Sequence, residues 1–307
     1  SNSTLPMPAS PGSSVTQSPA TDGSGDGSRT SVPSLIWVSF CIATGLPLAI
    51  AGLRLCQWRI SQAVAIGLAL GVSAWAGLIN TMTAPGISDT LLTIIVCGLM
   101  GGGFALGLFP FMRIGGLALL GLLGGLAFGL RVVLLKENLL IPSFALNWVI
   151  VAVMAVPSLA LVIWKPRIGT LFGVTSIGTF LLALAIDLLL HTTTAMSVGL
   201  RILFDGNSSH TDAIGALSYA PPLTTQIILG VSLALTPILS YLQHKMFPPP
   251  SSRNSILSIS NWESSAAVAA NLEFSLGSRD VYSQPSSDAE KGGPRRGAGS
   301  ASRFSFS

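Results

Sequence analysis

The stretch RIGGLALLGLLGGLAFGLRVVLL, residues 113–135, decides the fold. Between Arg113 and Arg131 it holds no charged side chain. A run of about 20 apolar residues, at about 1.5 Å per residue of helix, crosses about 30 Å of hydrocarbon. A strand is excluded because the alternating pattern of a membrane barrel is absent. Only helices and closed barrels satisfy every backbone group in lipid. The segment 114–135 is therefore read as a transmembrane helix.

Working outward, six more runs of this kind occupy 34–53, 60–80, 89–109, 144–164, 168–190 and 221–243. The bulk composition agrees. Half of the 307 residues are hydrophobic and only 9% are charged, too few to wet the surface of a soluble domain of this size. The expected fold is all-α: a polytopic membrane protein with seven transmembrane helices. The formal charge of +4 is too small to argue for nucleic acid as a partner. The partner that the composition implies is the lipid bilayer.

Arg113 has two counterparts. Arg59-Ile60-Ser61, Arg113-Ile114-Gly115 and Arg167-Ile168-Gly169 open the second, fourth and sixth spans, each 54 residues from the next. That period holds two helices and two turns. The chain then reads as one leading helix followed by three similar two-helix hairpins, 2–3, 4–5 and 6–7. Arg201-Ile202 is a fourth such pair off register, and chance loop arginines are the plainer reading.

The same arginines orient the domain. With the N-terminus outside, Arg54, Arg59, Arg113, Lys165, Arg167 and Lys245 fall on the cytoplasmic side, against Arg131, Lys136 and Arg201 on the other. The positive-inside rule gives N-terminus out and C-terminus in, in the plasma membrane or an endomembrane. Two N-glycosylation sequons, at Asn2 and Asn207, then share the outer side. The chain begins at Ser1 without methionine, which is read as the result of signal-peptide removal. Residues 1–33, with 13 Ser or Thr and five Pro, are expected to form a disordered outer stalk. The seven-helix domain is placed at 34–245. Residues 246–307 are expected to form a disordered cytoplasmic tail, with 16 serines in its last 57 positions. It carries a phosphorylation-prone Ser287 beside Asp288 and Glu290, and a weak amphipathic segment, Trp262–Phe274. Protein partners would be met through this tail.

Glycines four apart recur: Gly67/Gly71, Gly98/Gly102, Gly103/Gly107, Gly121/Gly125, Gly125/Gly129 and Gly169/Gly173. Small residues on one face let helix backbones approach closely, which in lipid replaces the hydrophobic drive. Packing within one chain is the plain reading; a homo-oligomer contact or a close-packed pore lining is the sharper one. Cys41, Cys56 and Cys97 all lie in or beside spans and imply no disulfide framework.

The repeat register also sets depth. Asn80, Arg131 and Asp187 stand about 27–32 Å from their arginine anchors. Asp89 and Gln226 begin descending helices at the same level, and His191 lies one turn beyond Asp187. These six are the candidate site, a polar outer cluster with an Arg131–Asp187 pair, because an ionisable group at that depth needs a partner. Ordinary snorkelling span ends are the alternative. No cofactor is expected. His-Glu-x-x-His, Gly-x-Ser-x-Gly and a phosphate-binding loop are absent, and His191, His210 and His244 do not cluster in sequence, so an enzyme is not expected.

Trp164-Lys165-Pro166-Arg167 leads into a helix with Thr175, Ser176 and Gly178, and then Asp187 near its end. With the Gly-rich helices around Arg113 and the basic turn at Arg54–Arg59, this resembles the multi-pass family that includes transmembrane protein 198 and the C-terminal half of transmembrane 7 superfamily member 3. The resemblance spans roughly 36–245 and implies a seven-helix domain, with signalling or scaffold roles for some members and no catalytic residues. The receptor class fits less well, since the third span ends Phe109-Pro110-Phe111-Met112-Arg113 and the seventh lacks Asn-Pro-x-x-Tyr. The first expectation is a non-enzymatic scaffold or signalling adaptor, because span middles are nearly free of polar residues. The alternative is a channel or transporter built from hairpin repeats.

Overall fold

A computed structural model of the chain describes residues 31–57, 59–82, 88–141, 143–191, 196–207, 210 and 219–247. Most of the stalk with Asn2, and the tail beyond Phe247 with Ser287 and Trp262–Phe274, lie outside the described residues. Among the described residues there are eight α-helices and no strand: α1 (Val32–Gln57), α2 (Ile60–Thr81), α3 (Asp89–Gly107), α4 (Arg113–Leu134), α5 (Phe144–Trp164), α6 (Pro166–Leu190), α7 (Met196–Phe204) and α8 (Leu223–Met246). Seven are long and apolar enough to span a membrane; α7, with nine residues, is not. The polytopic all-α expectation holds, and every expected span has its helix.

Helix limits follow local chemistry. Ser88 caps α3 by accepting from the Leu91 amide, and Asp89 in the first turn meets the positive end of the helix dipole. Pro166 begins α6, where a missing amide costs nothing. Pro47 lies inside α1, which bends at Ala51, a residue with non-helical angles.

The three repeat arginines hold equivalent places. Arg59 precedes α2 in a left-handed conformation, Arg113 opens α4, and Arg167 is the second residue of α6. All three mark one end of the bundle, hereafter the arginine end; α7 lies at the other. Helix α4 packs against both α2 and α6, while α2 and α6 make at most marginal contact with each other.

The hairpins differ in how they close. In the first, a Cβ on Gly67 would stand 2.7 Å from the Met100 carbonyl oxygen of α3, and one on Gly103 would stand 2.9 Å from the Gly67 Cα. In the second, a Cβ on Gly125 would meet the Met154 carbonyl at 2.5 Å and the Ala155 Cα at 2.6 Å in α5. One repeat after Gly121 and Gly125 the third hairpin has Thr175 and Thr179. These face α8 through Ser240 at 2.6 Å and Thr236 at 3.0 Å, oxygen to oxygen. The helix that α6 grips most extensively is α1, where a Cβ on Gly178 would stand 2.5 Å from the Ala49 nitrogen. The third hairpin thus keeps its place in the repeat but is held by hydroxyls rather than by backbone contact. Gly98 and Gly102 are different again: a Cβ on either would meet nothing within 4 Å.

Candidate functional site

Helix α8 buries its polar side. Thr225, Ser232, Thr236 and Gln243 are buried along it, while Leu223, Ile227, Val231, Leu235, Ile238 and Leu242 are exposed. Facing it, α6 buries Thr170, Thr175, Ser176, Thr179 and Asp187. The two helices meet along a polar seam inside an apolar domain.

Arg131 enters this seam from α4 and is fully buried. A helical side chain leans toward the N-terminus of its own helix. The Arg131 side chain therefore runs back toward the arginine end, and Nε donates to the Ala127 carbonyl at 3.0 Å. Nη1 donates to Thr179 Oγ1 (2.9 Å), the Ser232 carbonyl (2.9 Å) and Thr236 Oγ1 (3.0 Å). Nη2 donates to the Ser176 carbonyl (3.0 Å) and Ser176 Oγ (2.7 Å). Phe128, one turn away, lies with its ring centroid 5.7 Å from the guanidinium carbon. Ser176 and Thr179 stand about 15–20 Å along α6 from its first residue, and Thr236 about 15 Å from the last residue of α8. The cation is therefore at mid-span, not at a helix end. Pro237 follows Thr236 and cannot donate to the Leu233 carbonyl, which loosens α8 at this turn.

No carboxylate joins Arg131 among the described residues. The expected Arg131–Asp187 pair does not form, because the side chain leans away from the level of Asp187. Asp187 takes neutral donors instead: the Met196 amide at 2.7 Å, which opens α7, and Thr225 Oγ1 at 2.7 Å. His191 Nδ1 is 3.7 Å away, the alternative contact that the sequence offered. Asn80 grips the other end of α7. It donates to the Phe204 carbonyl and accepts from the Gly206 amide, each at 2.8 Å, while its own carbonyl accepts from Asn207 Nδ2 at 2.9 Å. Asp89 begins α3, and Gln226 lies half-buried beside Thr225. The six expected residues thus separate into a mid-span cation, a clasp at Asp187 with His191, an Asn80 clasp, and two helix-start residues.

Sequence reasoning missed two groupings. The hydroxyl seam was legible in part, since polar residues at 225, 232, 236, 240 and 243 recur three and four apart around a single interior leucine. The other is Asp205 with His210, both side chains wholly buried, with Nδ1 3.1 Å from Oδ2. The loop that pairs them leaves no periodic signal. Nearby, Tyr219 donates to the Leu134 carbonyl at 2.8 Å; burial, then the negative charge of Asp187, pushes its phenol up and keeps it a donor.

A bundle of seven apolar helices with a buried cation at mid-span defines a multi-pass integral membrane domain. The chain belongs to the family of the TM7S3/TM198-like domain, whose family model matches residues 38–244. No curated protein and no solved structure matches it.

Proposed function

We propose that the domain is a non-enzymatic membrane channel or transporter for a small anion, with Arg131 as the charge that the anion meets. The observation that carries this is the guanidinium at mid-span without a neutralising carboxylate among the described residues. A lone arginine at the centre of a span costs about 2.5–3.5 kcal/mol even on the lenient insertion scales, and such residues mark substrate pathways. Its partners suit the role. Ser176, Thr179 and Thr236 are hydroxyls, which accept from arginine now and can turn to donate to an anion. The buried charge of Arg131 at mid-span also weighs against the preference for a scaffold, which rested on span middles nearly free of polar residues apart from scattered Ser and Thr.

The scaffold or signalling adaptor remains the second reading. It is favoured by the completeness of the Arg131 bonding, since the side chain pins α4, α6 and α8 together. For either reading the arginine bias supports a cytoplasmic arginine end in the plasma membrane or an endomembrane, the stalk and the Asn207 sequon outside, and a Ser-rich tail inside for protein partners. Asn207 Nδ2 already donates to Asn80, so a glycan there would have to keep one amide hydrogen for that bond. Homo-oligomer contact has its candidate in Gly98 and Gly102 on the outward face of α3.

The test is flux. The full chain, in proteoliposomes loaded with a halide-sensitive dye, should pass chloride or nitrate, and Arg131→Met should abolish the signal while the protein stays monodisperse. Wild-type protein that passes neither anion, nor labelled phosphate, would leave the scaffold reading standing alone.

A further inference from the structure

Arg131 is not the only ionisable group on the polar seam. Asp187 lies on the same buried side of α6, about 12 Å beyond Thr179. Its side chain is buried, and among the described residues neither Arg131 nor Arg201 comes within 4 Å of its oxygens. Met196 of α7 offers its amide to Oδ2, and Thr225 of α8 offers its hydroxyl to Oδ1. The titratable groups near it are His191 of its own helix and Tyr219 from the segment before α8. Helix α5 carries no charged residue, and α1 brings only the buried thiol of Cys41, in an apolar cluster with Leu181 and Ala185, and Arg54 at the arginine end. Lys136 and Glu137, beyond α4, are exposed.

These partners suit a carboxyl that changes state. A guanidinium would hold it ionised, whereas a hydroxyl serves both forms. Thr225 donates to a carboxylate oxygen and, turned about its C–O bond, accepts from a carboxylic acid at the same oxygen. The Met196 amide donates to Oδ2 in either case. A route for the proton is also in place. His191 Nδ1 is buried without a hydrogen-bond partner and stands 3.7 Å from Oδ1, while the side chain as a whole is 24% exposed. An imidazole takes a proton at one ring nitrogen and gives one from the other.

We propose that Asp187 is the proton-binding site of the transport described above, so that one proton crosses with each monovalent anion. The inference rests on that reading. An ionised Asp187 repels an anion at Arg131 across a low-dielectric interior, where salt does not screen the charge, and a bound proton removes the repulsion. The proton leaves water, passes through His191 and forms an Oδ1–H bond. Release to water breaks that bond, and no other bond changes. Asp187 stands too far from the guanidinium to take the anion's place, so proton and anion do not compete and move in the same direction.

The test is chloride accumulation in proteoliposomes of the full chain, with chloride equal on both sides and the membrane potential clamped at zero by potassium and valinomycin. Acid outside should drive chloride inward. Asp187→Asn should carry chloride only down its own gradient. His191→Gln changes a side chain at the surface and leaves the core intact, so it decides the matter even if Asp187→Asn does not fold. It should slow proton-driven accumulation by at least about tenfold. Wild-type protein that passes chloride down its own gradient but ignores the pH gradient would overturn the coupling and leave the anion reading intact. Outward movement, proton-driven accumulation retained by Asp187→Asn, or a wild-type rate in His191→Gln would also overturn it. Wild-type protein through which no chloride moves, even down its own gradient, would overturn the coupling and the reading of chloride transport together.

Discussion

The second and third hairpins occupy corresponding places in the repeat and are built on opposite principles. Helix α4 meets α5 through Gly125 and Gly129, with backbone against backbone, and through Gly121, which faces the Val162 side chain and whose carbonyl accepts from Ser158 Oγ. Helix α6 meets α8 through Thr175 and Thr179, with hydroxyl against hydroxyl. A glycine seam leaves no room for a third group. A threonine seam holds the helices apart and lines the gap with acceptors, and the guanidinium of Arg131 lies in that gap. The exchange of glycine for threonine at two repeat positions thus accompanies the change from a purely structural contact to one that lodges a charge.

The largest effect should come from forcing the glycine seam to behave like the other. A side chain at Gly125 meets backbone atoms of Met154 and Ala155, which cannot rotate away. Gly125→Leu should cost about 3 kcal/mol, read as a lowered midpoint of thermal aggregation in detergent. A wild-type midpoint would show that α4 and α5 can part without loss. Next comes the hydroxyl seam. Thr179→Val together with Thr236→Val removes both hydroxyl acceptors of Arg131 Nη1 and should cost about 2 kcal/mol. The same pair in an Arg131→Met background should cost markedly less, since no charge is then left short of partners. Equal losses in both backgrounds would mean that the threonines serve packing alone.

The smallest effect separates two glycine pairs that look identical in sequence. Gly98→Leu and Gly102→Leu enter open space and should change monomer stability by less than about 0.5 kcal/mol. A shift in particle size on gel filtration, with the midpoint unchanged, would identify this face of α3 as the contact between copies.

These glycines show where sequence reading stops. Seven helices were legible because length and apolarity alone set a span, and the arginine period located α2, α4 and α6 at equivalent depths. Which glycine pair faces a neighbour was not legible, since Gly98/Gly102 and Gly121/Gly125 share one motif and only packing tells them apart. The height of Arg131 was placed correctly for its Cα and wrongly for its charge. Residue counting locates backbone, whereas a long side chain on this helix leans about a turn toward the arginine end. Asp187 was recognised as needing partners, but the amide of Met196 belongs to α7, a helix too short to announce itself by apolar length. The pairing of Asp205 with His210 depends on a loop path with no period to read.

The central claim is that Arg131 is an anion site and not merely a pin between helices. Its most direct test is the thermal midpoint of the purified full chain as chloride replaces gluconate at constant ionic strength. A ligand that binds only the folded state raises stability with the logarithm of its concentration. The wild-type midpoint should climb with chloride, while Arg131→Met should match the wild-type midpoint in gluconate and stay flat. A wild-type midpoint indifferent to chloride, joined to an Arg131→Met protein that melts well below it, would contradict the claim and leave Arg131 as a structural pin.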